Sequence, residues 1–260
     1  MSTLTIAQIT DIHIGQEGEM PDGVDVRKNF LSVLAAAAAE KPEHIVLSGD
    51  LCAHTGDRAI TAWVRDRLDE TGIPYSVIGG NHDETAFIAE VFGLERDLHD
   101  GELYYELSLK GIPLVMLDTD RGKISETQLA WLGRTLASYD RPAAGKPYAG
   151  PLVFMHYPPV ECGVPFMDAH YPLRNRAEAY RALAGCGYPV PVFCGHYHSE
   201  RTVVSGPVTV FLTPSTFFQI AREPAGPNFR VDHRIPGFRR ITVREDGIET
   251  TVRYLFPRQE

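Results

Sequence analysis

Five short clusters of potential metal ligands are spread along the chain: Asp11-Ile12-His13, Gly49-Asp50, Gly80-Asn81-His82-Asp83, His156 and Gly195-His196-Tyr197-His198. Carboxylate, amide and imidazole donors together suit borderline or hard first-row ions such as Mn, Fe, Co or Zn, and do not suit a soft thiolate site. In Asp11-x-His13 and His196-x-His198 the donors lie two residues apart. Residues i and i+2 of an extended segment point to the same side, so both can reach one ion. Taken singly, each residue has an ordinary explanation. An Asp after a strand commonly serves a turn or a cap, and a lone His or Asn commonly binds no metal. The joint pattern is what predicts a metal centre.

Each cluster follows a short apolar run that reads as a buried strand: Leu4–Ile9, Ile45–Leu47, Tyr75–Ile78, Leu152–Met155 and Val190–Phe193. In open α/β sheets ligands bind beyond the carboxyl ends of the strands, so these five ends can converge on one point. Gly49, Gly79, Gly80 and Gly195 stand before the ligand residues. They are expected to supply the unusual backbone angles of a sharp turn at the strand end.

Strand and helix patterns alternate. Val26, Phe30, Val33, Leu34, Ala37 and Ala38 recur at helical spacing, and Lys41-Pro42 stops that helix. Further helices are expected over Asp57–Glu70, with Gly72 as its stop, over Glu84–Phe92, and near Arg176–Ala184. Ser125-Glu126-Thr127-Gln128 reads as a capping box before a Leu129/Leu132/Leu136 stripe. Leu103–Leu109 and Pro113–Leu117 read as strands, residues 140–151 as a surface loop, and Gly163–Asn175 as a long irregular stretch. Beyond His198, from about residue 200, the pattern is β: Arg201–Val204, Val208–Leu212, Phe238–Val243 and Glu249–Tyr254, with Asp246-Gly247 as a hairpin turn. One domain over residues 1–260 is expected.

Hydrophobic residues make up 43% of the 260, enough for a sizeable core. The net charge of -9 argues against a nucleic-acid polymer as partner, because phosphate backbones select basic surfaces. It leaves room for a small phosphate ester at a local cationic centre. No apolar stretch approaches the roughly 20 residues of a membrane span, and Met1-Ser2-Thr3-Leu4 has no basic leader pattern. Cys52, Cys162, Cys186 and Cys194 form no C-x-x-C pair and read as reduced thiols, so a cytoplasmic location is expected.

The series Asp-x-His, Gly-Asp, Gly-Asn-His-Asp, His, Gly-His-x-His resembles the calcineurin-like metallophosphoesterase superfamily. All five motifs are present, in order, over residues 11–198. Within it the chain resembles bacterial class III cyclic nucleotide phosphodiesterases and related glycerophosphodiesterases. The start near residue 11, the lack of long insertions, His156-Tyr157-Pro158-Pro159 and Thr213-Pro214-Ser215 carry that narrower likeness. The resemblance implies an α/β fold: a four-layer αββα sandwich of two mixed sheets flanked by helices. It implies two metal ions, one held by Asp11, His13, Asp50 and His198, the other by Asp50, Asn81, His156 and His196. Asp50 would bridge them, and a hydroxide generated between them would attack phosphorus. His82, beside the leaving group, would stabilise charge or donate a proton. Asn81, His82, His156 and Tyr157 would contact substrate. Asp83 is expected either to orient His82 or to cap the next helix.

Other candidates have weaker grounds. Phe166, Met167, Asp168 and His170 lie on the long loop after His156, where specificity is often set. His54 and the pair Asp118/Asp120 are expected in supporting roles, and His44, His99 and His233 have no motif around them. Phe217–Pro236, with Phe217, Phe218 and Phe229, is expected to cover the site or to pack against a second subunit in a homodimer. The leading function is a dinuclear phosphodiesterase acting on 3′,5′-cyclic nucleotides or glycerophosphodiesters. The alternatives are a broad phosphomonoesterase, a nuclease, and a scaffold without activity.

Overall fold

The strand ends are brought together by two sheets that share one core. The computed structural model describes residues 3–139, 150–221, 228–232 and 235–255. The strands are β1 (Leu4–Ile9), β2 (His44–Ser48), β3 (Tyr75–Ile78), β4 (Tyr105–Leu109), β5 (Ile112–Leu117), β6 (Leu152–Met155), β7 (Val190–Cys194), β8 (Arg201–Ser205), β9 (Val208–Leu212), β10 (Gly237–Arg244) and β11 (Gly247–Tyr254). The first sheet has the order β11-β10-β1-β2-β3, and the second β8-β9-β7-β6-β5-β4. The β1-β2-β3 and β5-β6-β7-β9 pairings are parallel, while the outer pairs are antiparallel, so both sheets are mixed.

The interior strands are apolar along their whole length, as strands covered on both faces must be. Every residue of β2, β6 and β7 is buried. One cluster joins Leu4, Ile6 and Ile45 of the first sheet to Leu114, Phe154 and Phe193 of the second, which defines the face-to-face core. The helices are α1 (Val26–Ala39), α2 (Arg58–Asp69), α3 (Thr85–Phe92), α4 (Glu126–Ser138), α5 (Pro165–His170) and α6 (Arg176–Ala184). Phe30 and Val33 of α1 and Val64 of α2 pack on the first sheet. Leu132 and Leu136 of α4 and Leu183 of α6 pack with Val115, Val153 and Val192 on the outer face of the second. This is the four-layer αββα arrangement.

Local expectations hold where the signal is a cap or a period. Asp57 accepts from the N–H groups of Ala59 and Ile60 and starts α2. Lys41 ends the α1 region at φ 51°. The β10–β11 hairpin forms, but its two-residue turn is Glu245-Asp246, one residue before the expected Asp246-Gly247, because Gly247 already pairs with Arg244. Four further expectations need correction. Leu103–Leu109 is not one strand: a two-residue strand, Glu102–Leu103, precedes β4. The supposedly irregular Gly163–Asn175 contains α5. Asp168 of that helix braces the loop before it, its carboxylate accepting from the N–H groups of Cys162, Gly163 and Val164. The capping box is half made: Ser125 Oγ accepts from Gln128 N–H, but the Gln128 side chain pairs with the backbone of Asp118 instead of returning to Ser125. Asp83 neither touches the His82 ring nor caps α3; its actual partners are given below. The loop expected at 140–151 falls mostly outside the described residues, as do His233 and part of Phe217–Pro236. Among the described residues no helix is long and apolar enough to cross a membrane.

Candidate metal centre

The turns after β1, β2, β3, β6 and β7 meet at one edge of the sandwich. Ligand atoms of Asp11, His13, Asp50 and His198 lie within 4.8 Å of one another, and so do those of Asp50, His156 and His196. Asp50 belongs to both groups. Individual separations are 3.2 Å for His156 Nε2–Asp50 Oδ2, 3.3 Å for His198 Nε2–Asp11 Oδ1 and 3.1 Å for His13 Nε2–His198 Nε2. All six residues are buried. Asn81 is exposed and lines the cavity beside this cluster.

The backbone carries a cost to arrange this. Nine described non-glycine residues have positive φ, and five of them are Asp11, His13, Asp50, His196 and His198, at 43–65°. Each such conformation costs on the order of 1–3 kcal/mol and persists only when its surroundings hold it. The unusual angles therefore fall on the ligand residues themselves, which the sequence did not suggest. Of the four glycines, only Gly49 has positive φ, 100°. Gly80 and Gly195 serve close approach. A Cβ on Gly80 would lie 2.3 Å from Asp50 Oδ1, and one on Gly195 would lie 2.1 Å from Thr10 Oγ1.

Three imidazoles are held by backbone carbonyls. His156 Nδ1 donates to Ser48 O at 2.9 Å, His198 Nδ1 to Phe218 O at 2.9 Å, and His196 Nε2 to Tyr171 O at 3.0 Å. The outer nitrogen of each ring carries a proton, so in the neutral ring the other presents a lone pair. His156 Nε2 is buried without a hydrogen-bond partner. Asp83 braces the two neighbouring turns by accepting from the N–H groups of Leu51, Cys52 and Gly80. Burial and the Asp50 charge push its pKa up to about 6, against the pull of those N–H groups. Asp50 Oδ1 accepts from His82 N–H, and Asp11 accepts from His196 N–H.

The electrostatics fit a cation. Burial lowers the pKa of His13 and of His196 to about 3, so both are neutral imidazoles, the ligand form. Burial also opposes charging His156, but Asp50 and Asp11 outweigh it and raise that pKa to about 9. The two carboxylates thus demand positive charge beside them. Burial would raise Asp50, yet His156, His13 and His82 hold it well below the usual range; Asp11 is also lowered, with His198 and His156 outweighing burial. Buried carboxylates and imidazoles oriented by backbone carbonyls together form a donor set suited to borderline or hard divalent ions.

A cavity of about 330 Å³ opens on the cluster, lined by His13, Asp50, Asn81, His82, His196 and His198 and by the apolar Phe166, Met167, Phe217, Phe218 and Phe229. Phe218 and Phe229 are nearly parallel, with centroids 5.8 Å apart. His82 is half-buried, and its Nδ1 donates to His54 O at 3.0 Å. His54 therefore acts through its carbonyl, while its ring is tied to Glu19. Tyr157 stacks on His196 at 3.7 Å and lines a neighbouring cavity with Arg121 and Arg174, not the aromatic one. Asp118 and Asp120 stay outside the ligand groups and accept from Thr85 Oγ1. His44 pairs with Ser76 in the core. The holding carbonyls of Ser48, Tyr171, Phe218 and His54 were missed from the sequence, and no side-chain type could have marked them. The cysteines are free and outside the cluster.

This geometry agrees with the comparisons to known proteins. The family model "Calcineurin-like phosphoesterase" matches residues 4–200. The chain is 35% identical over 249 residues to a probable cyclic nucleotide phosphodiesterase of Fibrobacter succinogenes, covering 96% of this chain and 93% of the relative. It is 29% identical over 254 residues to the 3′,5′-cyclic adenosine monophosphate phosphodiesterase CpdA of Escherichia coli K12, covering 95% and 87%. A dimetal phosphatase from Danio rerio shares the fold with a TM-score of 0.68 at 15% identity, over 96% of both chains. The chain belongs to the calcineurin-like phosphoesterase family. It is accordingly a phosphoester hydrolase.

Proposed function

We propose that this chain is a cytoplasmic, single-domain phosphodiesterase for small diesters, 3′,5′-cyclic nucleotides first and glycerophosphodiesters second, working with two divalent ions. The observation that carries the reading is the sharing of Asp50 by two adjoining groups of buried ligands. One ion would be held by Asp11, His13, Asp50 and His198, the other by Asp50, Asn81, His156 and His196. Bound there, two divalent ions supply Lewis acidity toward phosphoryl oxygens and acidify the attacking water.

The chain's own groups do the rest. Ser48 O, Tyr171 O and Phe218 O keep three imidazoles aimed at the centre. As an imidazolium, His82 keeps its Nδ1–H on the His54 carbonyl and has the Nε2–H left to give to the departing alkoxide. Asn81 lines the same cavity and offers an amide to a phosphoryl oxygen. The aromatic wall shields the organic part of the ester from water and suits a base better than a bare phosphate. The free thiols are in keeping with a reducing compartment.

The test is a pair of assays on metal-stripped protein reloaded with Mn²⁺, using bis(p-nitrophenyl) phosphate and p-nitrophenyl phosphate. The diester is expected to be cleaved faster, and only after reloading. Faster monoester cleavage would overturn the diesterase reading, and no Mn²⁺ dependence would overturn the metal reading.

A further inference from the structure

A chain of buried hydrogen bonds crosses the core between the two sheets and ends beneath the metal centre. It starts at Arg239 on β10, which is only 3% exposed. The guanidinium is held by neutral acceptors: Nε donates to Thr213 Oγ1 at 3.0 Å, Nη1 to Thr250 Oγ1 at 2.9 Å and Nη2 to Leu212 O at 2.7 Å. Burial lowers its pKa to about 10, which leaves it charged at neutral pH. Thr213 Oγ1 then donates to Gln8 Oε1 at 2.6 Å, and Gln8 Nε2 donates to Ser48 Oγ at 2.9 Å. Gln8, Ser48 and Thr213 are fully buried.

The direction of this chain is set at one end. A guanidinium only donates, so Thr213 Oγ1 must accept from it and is left to give its own proton onward. That fixes the Gln8 amide with its oxygen toward Thr213 and its nitrogen toward Ser48. Without Arg239, the threonine hydroxyl could reverse and the amide could turn over. Each of the three neutral members sits beside a ligand-bearing turn. Gln8 lies on β1, three residues before Asp11. Ser48 precedes Gly49-Asp50, and its carbonyl accepts from both His156 Nδ1 and Thr10 Oγ1. Thr213 N–H donates to Cys194 O, next to Gly195-His196.

We propose that Arg239 is a positioning residue for the metal centre, acting through Thr213, Gln8 and Ser48 to hold the turns that carry Asp11, Asp50, His156 and His196 in register. Arg239 and Thr213 lie beyond residues 4–200, the stretch that the family model matches. The β-rich C-terminal part is thereby tied to the metal centre as well as to the core.

The inference rests on the metal reading above, and one experiment separates the two. Metal-stripped full-length protein is titrated with Mn²⁺ by calorimetry, at a temperature where every variant is folded by circular dichroism. The wild type must bind Mn²⁺; failure there overturns the metal reading itself. Thr213→Val keeps the volume and breaks the chain while leaving Arg239 its bonds to Leu212 and Thr250. It is expected to weaken Mn²⁺ binding about 10–100-fold, the usual effect of removing a group that orients a metal ligand. Arg239→Met is expected to do the same. Should that variant fail to fold, Thr213→Val and Gln8→Leu decide alone. Thr250→Val removes a bond of Arg239 outside the chain; it should lower Tm and leave Mn²⁺ affinity unchanged. Wild-type affinity in Thr213→Val, or equal weakening in Thr250→Val, would overturn the proposal, since either result reduces the chain to ordinary packing.

Discussion

His82 and Asp83 are neighbours with different tasks. His82 Nδ1 is anchored on the His54 carbonyl, its ring borders the cavity, and it is absent from both ligand groups. His82→Ala should therefore keep its metal content by elemental analysis and lose about 10²–10⁴-fold in turnover, the range for a positioned proton donor. Unchanged turnover with intact metal would remove His82 from the reaction. Asp83 instead accepts from three backbone N–H groups on the turns that carry Asp50 and Asn81. In Asp83→Asn an amide N–H faces one of those donors. Leaving a buried donor unsatisfied costs about 1–3 kcal/mol, and the expected result in urea unfolding is a loss of that size together with weaker metal retention. The sequence offered only two roles for Asp83 because both were local. The actual partners Leu51 and Cys52 lie more than thirty residues away.

At the scale of elements, the ligands were legible because each follows an apolar run, and a buried strand must be apolar on both faces. The turn geometry was not legible. Positive φ at Asp11, His13, Asp50, His196 and His198 is only faintly marked by residue type: Asp and His visit the left-handed region more often than most residues, but too seldom to point to it at a given position. The α5 helix hid for a related reason: its six residues are too few for a period, and no side chain caps its start; Asp168 lies inside the helix and reaches back to the loop. The glycines before the ligands were recognised, but most of them are needed for space. In Gly80→Ala the new methyl would meet Asp50 Oδ1 and the Asp50 backbone nitrogen at 2.3 and 2.5 Å. The backbone atom cannot swing aside, so the turn must move. Gly80→Ala is expected to retain little Mn²⁺ after gel filtration, while Gly133→Ala, at a position with open space in α4, should retain it fully. Equal retention in both would show that the turn tolerates the displacement.

For the whole molecule, the two-sheet arrangement was implied by the family likeness rather than by the strand pattern. Alternating strands and helices say nothing of strand order, and the crossing of β10 to the far side of β1 is a long-range choice. One titration away from the metal centre reports on global stability. Burial, and then the charge of Asp120, raise the pKa of Asp118 to about 8. An ordinary Asp in the unfolded chain has a pKa of about 3.9. Between these values the folded state binds more protons than the unfolded, so stability falls as pH rises from about 4 to about 8. The contribution is fully present below pH 4 and lost above pH 8. Asp120→Asn removes one raising influence and keeps an acceptor for Thr85, so its Tm should fall less steeply over that window than that of the wild type. Parallel curves would mean that the pair does not share charge.

The shared use of Asp50 is best tested by counting ions. Metal-stripped wild-type protein titrated with Mn²⁺ should take up two ions per chain and regain diesterase activity in step. Asp50→Ala, folded by circular dichroism, should take up fewer than two and regain none. An Asp50→Ala protein that binds two ions and hydrolyses diester at the wild-type rate would contradict the account.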